Sequence, residues 1–474
     1  MGNASKKLAE KCTILSRDEQ PIVANSFKTA SKNSDKIRED DLIKQWYTNV
    51  DPRLAQFLSN FLFGYGASKK SIVEFQRFAE LYVFSVRGTL DERMSALYNS
   101  LGYDHDETIE LPYQLITEFC ESIVSTYMKM QKQSSSASFS AWAAKGFTVQ
   151  KEQVSALAEG LTADVFVVSL SRLQHSVLLT RIIEQVFKNL FHPVKGTRSH
   201  SEEENFHCSL IPMPIGLTYM PDYPAIIDLS QLVYVAGHLP SDMQREWRFL
   251  FSSNIHGESF STLLGRIMDQ GPSVIIVEDN SGHIFGGYAP ANWSLSPNFQ
   301  GDDTSFLFTL APKMRIFPAT GYNDHYQYLN LHQQTMPNGL MMGGQFEYCG
   351  MWLDSEYGLG HSSESCTSYK RYTQMSRDKN FKIKNLEVWA VGEKPMAEEV
   401  SIHVIAFCRS SCVFPQFLFA YDGGEDIRNK GRQQFISGER TGKSVLDGNF
   451  ESKAMLKMAG REQHSEGLRE APPL

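Results

Sequence analysis

The sequence predicts an α+β protein. A helical N-terminal half with degenerate EF-hand-like helix pairs precedes an antiparallel β-sandwich with flanking helices, and a helical tail ends the chain. Three observations lead to this prediction. The 474 residues exceed one ordinary hydrophobic core. Apolar residues follow a helical period through much of the first 200 positions. After Asp228, short apolar runs between glycine turns replace that period, as is typical of strands.

The composition is that of a globular protein, with 42% apolar and 21% charged residues. A net charge of -8 argues against a nucleic acid as the main partner. The seven cysteines are an odd number spread over a long chain, which does not suit a disulfide framework. We therefore expect a reducing compartment and a cytoplasmic protein, without a cofactor or a metal ion.

The first 39 residues are interpreted as an N-terminal tail with a candidate lipid anchor. No apolar run follows the first lysines, so the pattern of a secretory signal peptide is missing. Gly2 begins a sequence close to the M-G-x-x-x-[ST] pattern for N-myristoylation, although Lys6 stands where that pattern has its hydroxyl residue and Ser5 comes one place early. The neighbouring lysines would help one acyl chain to hold an anionic membrane. The alternative is an unmodified tail.

Residues 40–200 are predicted to be helical and EF-hand-like. The apolar residues at helical spacing include Leu54, Phe57, Leu58, Phe61 and Leu62. A loop over 102–113 resembles the exit of an EF-hand but is a poor calcium site, because Tyr113 stands where a bidentate Glu is needed. Only Asp104, Asp106 and Glu110 offer oxygens there. We therefore predict helix pairs used for packing, with a calcium-responsive sensor as an alternative.

Two later segments of this half look like connections. The serine-rich residues 131–140 have the composition of a flexible linker or long loop. A domain boundary is placed in the Pro-, Ser- and Glu-rich stretch that follows Phe191. Residues 165–191 are apolar but contain Arg and Glu, so they suit a buried helix pair better than a membrane span.

Short-range signals predict the elements of the domain over 228–392. Ser259 is placed to cap a helix from Phe260 to Ile267, which Gly271 and Pro272 would end. A hairpin follows over 273–289. The further predicted strands are 306–310, 315–319, 348–354 and 381–391.

This domain resembles the TLDc family. The resemblance rests on WRFLFSSNIHGESF, GPSVIIVEDNSGHIFGGYA, PNFQGDDTSFLFTL, TGYNDHYQYLN, PNGLMMGG, GMWLD, CTSY and LEVWAVG, which occur in the family's order. One departure is Met341, which replaces a glycine and fits only if that position does not need a positive φ. The family motif residues, expected to be structural, are Trp247, His256, Gly257, Gly286, Gly287, Gly321, Asn323, Asp324, His325, Tyr326, Gly343, Gly344, Trp352 and Trp389.

The resemblance implies a function. TLDc proteins are associated with the proton-pumping V-type ATPase and with the response to oxidative stress. The branch that begins with Met-Gly, has helical domains before the TLDc domain and ends in a HSEGLRE-like tail is linked to mTOR signalling at the lysosome, and to cell growth, proliferation and migration. This likeness implies a non-catalytic adaptor, peripheral on the lysosomal membrane, whose partners are the V-type ATPase, mTOR and associated signalling proteins.

An enzyme, a hydrolase or a redox enzyme, is the alternative from another class. It would use Asp324, His325 and a cysteine. The candidate helpers are Ser362, Cys349, Cys366, Glu347 and His361. The sequence contains no G-x-S-x-G or H-E-x-x-H motif to support this reading. A zinc site would draw on His325, His332, Cys349, His361 and Cys366, but their spacings do not match a known metal clip.

The structural interpretation of the same stretch is favoured. The side chains of Asn323 and Asp324 would hold an irregular turn by hydrogen bonds to the backbone. Tyr322, Tyr326 and Tyr328 would alternate onto one face of a strand, and His325 would satisfy a buried partner.

The chain after the TLDc-like domain is divided into an insertion or linker over 393–443 and a C-terminal helix and tail over 444–474. A short helix is predicted from Asn449 to Ala459. Its apolar stripe consists of Phe450, Ala454, Met455 and Met458, which we interpret as partner-binding residues. So short a helix must dock on something to be stable.

Overall fold

Helices occupy the first half of the chain and a large antiparallel sheet the second, which confirms the α+β class. The computed structural model describes residues 12–394 except 47, 66–68, 90–91, 93–98, 101, 103–111, 135, 163–175, 192–209, 218–219, 221–222, 335 and 345–347. The candidate anchor at Gly2, the centre of the predicted calcium loop, almost all of the 393–443 segment and the C-terminal helix lie outside these residues. Within the described part, every helix is too short or too polar to cross a bilayer.

Two helix–strand–helix units begin the described chain. The first contains α1 (Glu19–Ala30), β1 (Lys36–Arg38) and α2 (Glu39–Trp46), and the second contains α3 (Pro52–Phe63), β2 (Ile72–Glu74) and α4 (Phe75–Tyr82). The two short strands pair antiparallel, with Ile37 opposite Val73 and both side chains buried. A π-helical turn over Val83–Arg87 continues α4.

The sequence predicted that the helical region begins at residue 40. The structure shows that it begins earlier, with α1. Val23 and Phe27 on α1 are fully buried. Phe27 meets the rings of Phe75 and Phe78 on α4 at 5.1 and 5.6 Å. The predicted tail therefore contains an amphipathic helix. Polar residues between the buried positions made its apolar pattern hard to recognise in the sequence.

Four more helices follow among the described residues of this half: α5 (Tyr113–Ser134), α6 (Ala137–Ala143), α7 (Lys151–Thr162) and α8 (Val177–Phe191). The prediction of a flexible linker over 131–140 is wrong, because α5 and α6 run through it. The Ser136 hydroxyl accepts a hydrogen bond from the Phe139 amide at 3.1 Å and so caps α6. Phe139 and Trp142 then anchor α6 in the core.

The described residues of the second half form three α-helices and eleven strands. The helices are α9 (Leu229–His238), α10 (Ser253–His256) and α11 (Phe260–Ile267). The strands are β3 (Met213–Ile215), β4 (Glu246–Ser252), β5 (Ser273–Asp279), β6 (Ile284–Ala289), β7 (Phe306–Ala311), β8 (Arg315–Pro318), β9 (Gln327–Asn330), β10 (Gly339–Met342), β11 (Met351–Asp354), β12 (Leu359–His361) and β13 (Asn380–Val391). The predicted helix with its Ser259 cap and the predicted β5–β6 hairpin are confirmed.

Strand β13 belongs to two sheets. Its first three residues pair with β12, and its later residues lie between β5 and β4. The first sheet has the order β3-β4-β13-β5-β6-β7-β8, and the second continues from β13 as β12-β11-β10-β9. All neighbours are antiparallel except β3 and β4, which run parallel. The second sheet packs on the first, so the predicted sandwich is confirmed.

The first sheet is buried on both faces. On β5, Val274 and Ile276 join the core formed with the helices, while Ile275 and Val277 join the core shared with the second sheet. A strand covered on both sides is apolar at nearly every position, which explains the run SVIIV. The helical half and the sheet domain therefore share one hydrophobic core and form a three-layer body.

Candidate functional site

The loop between β8 and β9, residues 319–326, contains the stretch that the sequence singled out. Its backbone is tied to the segment 367–370. The Thr320 amide donates to the Ser368 carbonyl at 2.8 Å, and the Lys370 amide donates to the Pro318 carbonyl at 2.7 Å. Gly321 has a φ of 73°, in the left-handed region that favours glycine. The loop is thus held by its neighbour before any side chain acts.

Asn323 organises this loop with its side chain. Its Oδ1 accepts hydrogen bonds from the Ser368 hydroxyl at 2.8 Å and from the His325 amide at 3.2 Å. Its Nδ2 donates to the Thr367 hydroxyl at 3.3 Å. The structural role predicted for this residue is supported, and its partners come from the CTSY motif.

His325 connects the loop to the turn that follows β10. Its ring stacks on Phe299 with centroids 4.5 Å apart and an angle of 19°. Its Nδ1 makes a short hydrogen bond to the Gly344 carbonyl oxygen. Because a carbonyl can only accept, Nδ1 carries the proton. The ring is therefore held in one orientation by packing and by this bond.

Asp324 does not act as predicted. Its carboxylate is exposed, and no described residue donates a hydrogen bond to it. Only its backbone carbonyl takes part in the turn, by accepting from the Tyr326 amide at 3.0 Å.

The three tyrosines of the stretch do not share one face. Tyr326 packs in the core between the sheets, and Tyr328 packs beside Met341 and Cys349. Tyr322 is 86% exposed, because strand β9 begins only at Gln327. The loop thus presents one large aromatic side chain to solvent from a backbone that is held rigidly.

The described candidate residues do not form the active site that the enzyme alternative requires. Ser362 is fully buried, and its hydroxyl lies 2.8 Å from the Tyr372 hydroxyl. Burial raises the pKa of the Cys366 thiol to about 11 and raises the pKa of the Cys349 thiol well above its usual range. Since the thiolate is the nucleophile, both cysteines are inert near neutral pH. His361 hydrogen-bonds Asn380 at 2.7 Å, and Glu347 lies outside the described residues.

A zinc site is not supported either. Among the residues that the structure describes, no three His, Cys, Asp or Glu side chains come together as metal ligands would. His332 and the other proposed ligands are thus not gathered around one point.

Four glycines of the motif allow close packing. A Cβ on Gly286 would lie 1.9 Å from the Ile275 carbonyl oxygen, and one on Gly287 would lie 2.6 Å from the Met342 sulfur. Gly343 has a φ of 71° and lies under the Tyr369 ring. At Gly344, a Cβ would lie 2.9 Å from the Met341 sulfur.

Met341, the departure from the family pattern, is tolerated. It lies in β10 with a buried side chain, and its φ is not positive.

The tryptophans of the motif serve the cores. Trp389 on β13 lies 6.1 Å from Trp247 and 5.4 Å from Trp142 of the helical half, measured between ring centroids. It therefore joins the sheet to the helices. Trp352 on β11 packs against the small cluster around Tyr328 and covers Gly339.

His256 and Gly257 shape the turn after β4. The His256 ring stacks on Phe249 and on Phe251, with its centroid 5.6 Å from each of theirs. Its Nδ1 accepts a hydrogen bond from the Ser252 amide at 3.1 Å, which requires an unprotonated Nδ1. Burial lowers the pKa of this histidine, in agreement with a neutral ring. Gly257 ends α10 with a φ of 82°.

Glu387 is an unusual residue that none of the sequence motifs singled out. It lies on β13 with no exposed surface. The available signal was a single acidic residue inside the apolar run LEVWAV, since charged side chains are almost never fully buried unless they are paired.

The comparisons with known proteins agree with the fold. The family model of the TLDc domain matches residues 220–392. MTOR-associated protein MEAK7 of Xenopus laevis is 33% identical over 418 residues, which cover 83% of this chain and 80% of the frog protein. The chain belongs to the MEAK7 family of TLDc proteins. The resemblance seen in the sequence motifs is thereby confirmed.

Other members of the family are more similar over a shorter stretch. MTOR-associated protein MEAK7 of Gallus gallus is 43% identical over 248 residues, or 52% of this chain and 44% of the chicken protein. The protein of the same name from Homo sapiens is 40% identical over 252 residues, or 53% of this chain and 46% of the human protein. In these two alignments the chain spans less than half the length of its relatives.

Proposed function

We propose that this MEAK7-family protein is a non-catalytic adaptor in mTOR signalling that works on the lysosomal membrane and associates with the V-type ATPase. The observation that carries the proposal is the likeness over 83% of the chain to a protein named as mTOR-associated. Affinity purification of the tagged full chain from lysosomes tests it. We expect mTOR and pump subunits in the eluate, and their absence at the level of an untagged control would contradict the proposal.

The geometry suits an adaptor. The motif residues are used for packing and turn formation, and the described candidates for catalysis are buried or apart. Tyr322 stands exposed on a loop that is tied at both ends. A rigid, exposed aromatic side chain binds a partner with little loss of conformational freedom, so this loop is a suitable contact point.

Membrane attachment is proposed to depend on Gly2. A Gly2→Ala variant cannot be myristoylated, so we expect it to move from the membrane to the soluble fraction. One acyl chain binds only weakly, so high salt should also release the parent protein by screening the lysines beside it. The measurement is membrane flotation of both proteins, with mass spectrometry of the N-terminal peptide. Equal flotation of the two would contradict the anchor.

The apolar stripe over 450–458 is proposed to bind the V-type ATPase. The variant Phe450→Asp, Met458→Asp should lose pump recovery, because charge on the stripe prevents it from entering an apolar groove. The matched control is Lys453→Asp, Lys457→Asp, which places the same side chains on the predicted polar face. We expect the control to retain the pump. If the stripe variant keeps the pump but melts at a lower temperature, the helix belongs to the fold and not to the interface.

A calcium-responsive sensor is the alternative function, and the two helix–strand–helix units allow it to be compared with the EF-hand pattern. Their paired strands β1 and β2 have the arrangement of paired EF-hands. With Ile37 at loop position eight, Lys32 falls at position three and Asp41 at position twelve. The Lys32 ammonium lies 2.7 Å from the Asp41 carboxylate, so a side-chain cation already neutralises the main calcium ligand.

This unit is therefore expected to be independent of calcium. Calorimetric titration of the full chain should show no heat of calcium binding. Saturable calcium binding would instead support the sensor, with the 102–113 loop as the candidate binding site.

A further inference from the structure

A glutamate is buried where the first sheet meets the segment between β3 and α9. Glu387 lies on β13, two residues before Trp389, so both side chains point to the helical side of the sheet. Its relative exposure is 0%. The segment 223–227 covers it, immediately before α9 begins. No described residue forms an ion pair with it.

Three polar groups surround the carboxylate. The Ile226 amide donates to Oε1 at 3.2 Å, and the Trp389 indole donates to Oε2 at 3.4 Å. The buried Tyr223 hydroxyl faces the same group without a well-aligned hydrogen bond to any described residue. A hydroxyl can donate to an ionised carboxylate or accept from a neutral one, so this contact suits both protonation states.

The rest of the surroundings are aromatic. Trp389 lies 5.2 Å from Phe249, 5.8 Å from Tyr223 and 5.4 Å from Trp142 on α6, measured between ring centroids. One aromatic cluster therefore holds β13, the 223–227 segment and the helical half together, with Glu387 at its edge.

Several charged groups of the neighbouring elements have partners of their own. Opposite Glu387, the flanking strands place Ser252 and Ile276, neither of which titrates. On the elements packed against β13, Glu278 binds Lys384 and Asn385, Arg248 donates to the Gln270 carbonyl, and His256 accepts from the Ser252 amide. Lys145 donates to the Met220 carbonyl, and Asp228 caps α9. Within 223–228, Tyr223 keeps its proton because burial raises its pKa well above 10.

We propose that Glu387 is a proton-dependent latch: in its neutral form it holds the 223–227 segment on the first sheet, and its ionisation loosens that segment and the packing of the helical half behind it. The latch goes beyond the adaptor role and does not depend on which partner the adaptor binds.

The direction of the effect follows from burial. Burial raises the pKa of Glu387 from 4.5 to about 7, while hydrogen bonds from its neighbours oppose the shift. A raised folded-state pKa gives stability that is complete below pH 4.5 and is lost as the pH rises through about 7. The equilibrium constant for opening the segment should therefore rise about tenfold between pH 6 and pH 8.

Hydrogen exchange of the full chain measures this opening. The exchange of the amides in 223–227, divided by their intrinsic rates, gives the opening constant at each pH. We expect the tenfold rise in the parent and a nearly flat profile in Glu387→Gln, which keeps the shape but cannot ionise. The matched control is Glu278→Gln on the neighbouring strand, which should keep the slope of the parent.

Two results would overturn the latch: a flat profile in the parent, or the same slope in Glu387→Gln as in the parent. If Glu387→Gln does not fold, Tyr223→Phe provides a second test. The Tyr223 hydroxyl lowers the pKa of Glu387, so its removal should move the midpoint of the profile to higher pH. An unchanged midpoint would show that the carboxylate is not the titrating group.

Discussion

Asn323 and Asp324 are neighbours in the chain but have different roles. The Asn323 side chain joins its own loop to the 367–368 segment through both of its polar atoms. The Asp324 carboxylate faces solvent. The Asn323 amide can both donate and accept, and the tertiary structure places it beside Thr367 and Ser368, which use both of its polar atoms.

We predict that substitutions at Asn323 and Asp324 reduce the free energy of unfolding by unequal amounts. Asn323→Ala should reduce the free energy of unfolding by about 1 to 3 kcal/mol, because it leaves polar partners without a hydrogen bond. Asp324→Asn should change it by less than about 0.5 kcal/mol, as is usual for an exposed position. Urea unfolding of the full chain measures both. Equal losses in the two variants would contradict the assigned roles.

Like Asn323, His325 is expected to stabilise the folded protein through its side chain. His325→Ala removes the stack on Phe299 and the hydrogen bond to the Gly344 carbonyl, so the unfolding free energy should fall in the same urea series. The histidine acts here as a structural side chain and needs no chemical activity to explain its place.

Strand β6 contains two positions, Gly286 and Gly287, where close neighbours leave little room for a side chain. Two glycines interrupt its apolar pattern, and both face close neighbours. At Gly286 the neighbour is backbone, the Ile275 carbonyl, which cannot move without disturbing β5. At Gly287 the neighbours are the ends of Met342 and Leu307, which can adjust. A side chain at Gly286 is therefore harder to accommodate than one at Gly287.

For this element we predict that Gly286→Ala destabilises the protein by about 3 kcal/mol, at the upper end of the usual cost of overpacking. The matched control is Gly265→Ala on α11, where a Cβ meets nothing within 4 Å. There, alanine should stabilise the helix by about 0.5 to 1 kcal/mol. Thermal unfolding of the two variants is the measurement. A Gly286→Ala variant as stable as the parent would show that β5 and β6 can separate.

Strand β3 shows how the edge of the first sheet is protected. It has only three residues, and Pro214 stands at its centre. The Met213 amide points inward to the Arg245 carbonyl, so the adjacent position, Pro214, faces outward without an N–H. A short strand that lacks this donor is a poor template for another strand, so this edge disfavours association.

The whole molecule is one body and not two domains on a linker. The face of the first sheet that includes Val274, Ile276 and Trp389 is covered by the helical half. Trp142 and its neighbours take the place that water would occupy on a free domain. The TLDc boundaries at 220 and 392 therefore mark a family match but cut through a shared core.

We accordingly predict that the isolated segment 220–392 is less stable than the full chain and binds a hydrophobic dye. Separation exposes an apolar sheet face much larger than the scattered patches of an ordinary surface. The full chain should unfold in one transition, since both halves share a core. Calorimetry and dye fluorescence of the two proteins test this. An isolated segment that melts like the full chain without binding dye would contradict the shared core.

The sequence by itself determined the features that depend on near neighbours. The helix at 260–267 follows from its apolar spacing and its Ser259 cap, and the β5–β6 hairpin from two apolar runs around a turn. The TLDc membership followed from motifs in a fixed order. Each of these signals is contained in about 20 consecutive residues, so periodicity, turn chemistry and motif spelling reveal it.

Only the tertiary structure decided the rest. It placed β13 in both sheets, buried the first sheet under the helical half, brought Asn323 to Ser368 and enclosed Glu387 beneath Ile226. The partners in the last two contacts are 45 and 161 residues apart. No local pattern records which distant segment covers a side chain, because that choice is made by the packing of the complete core.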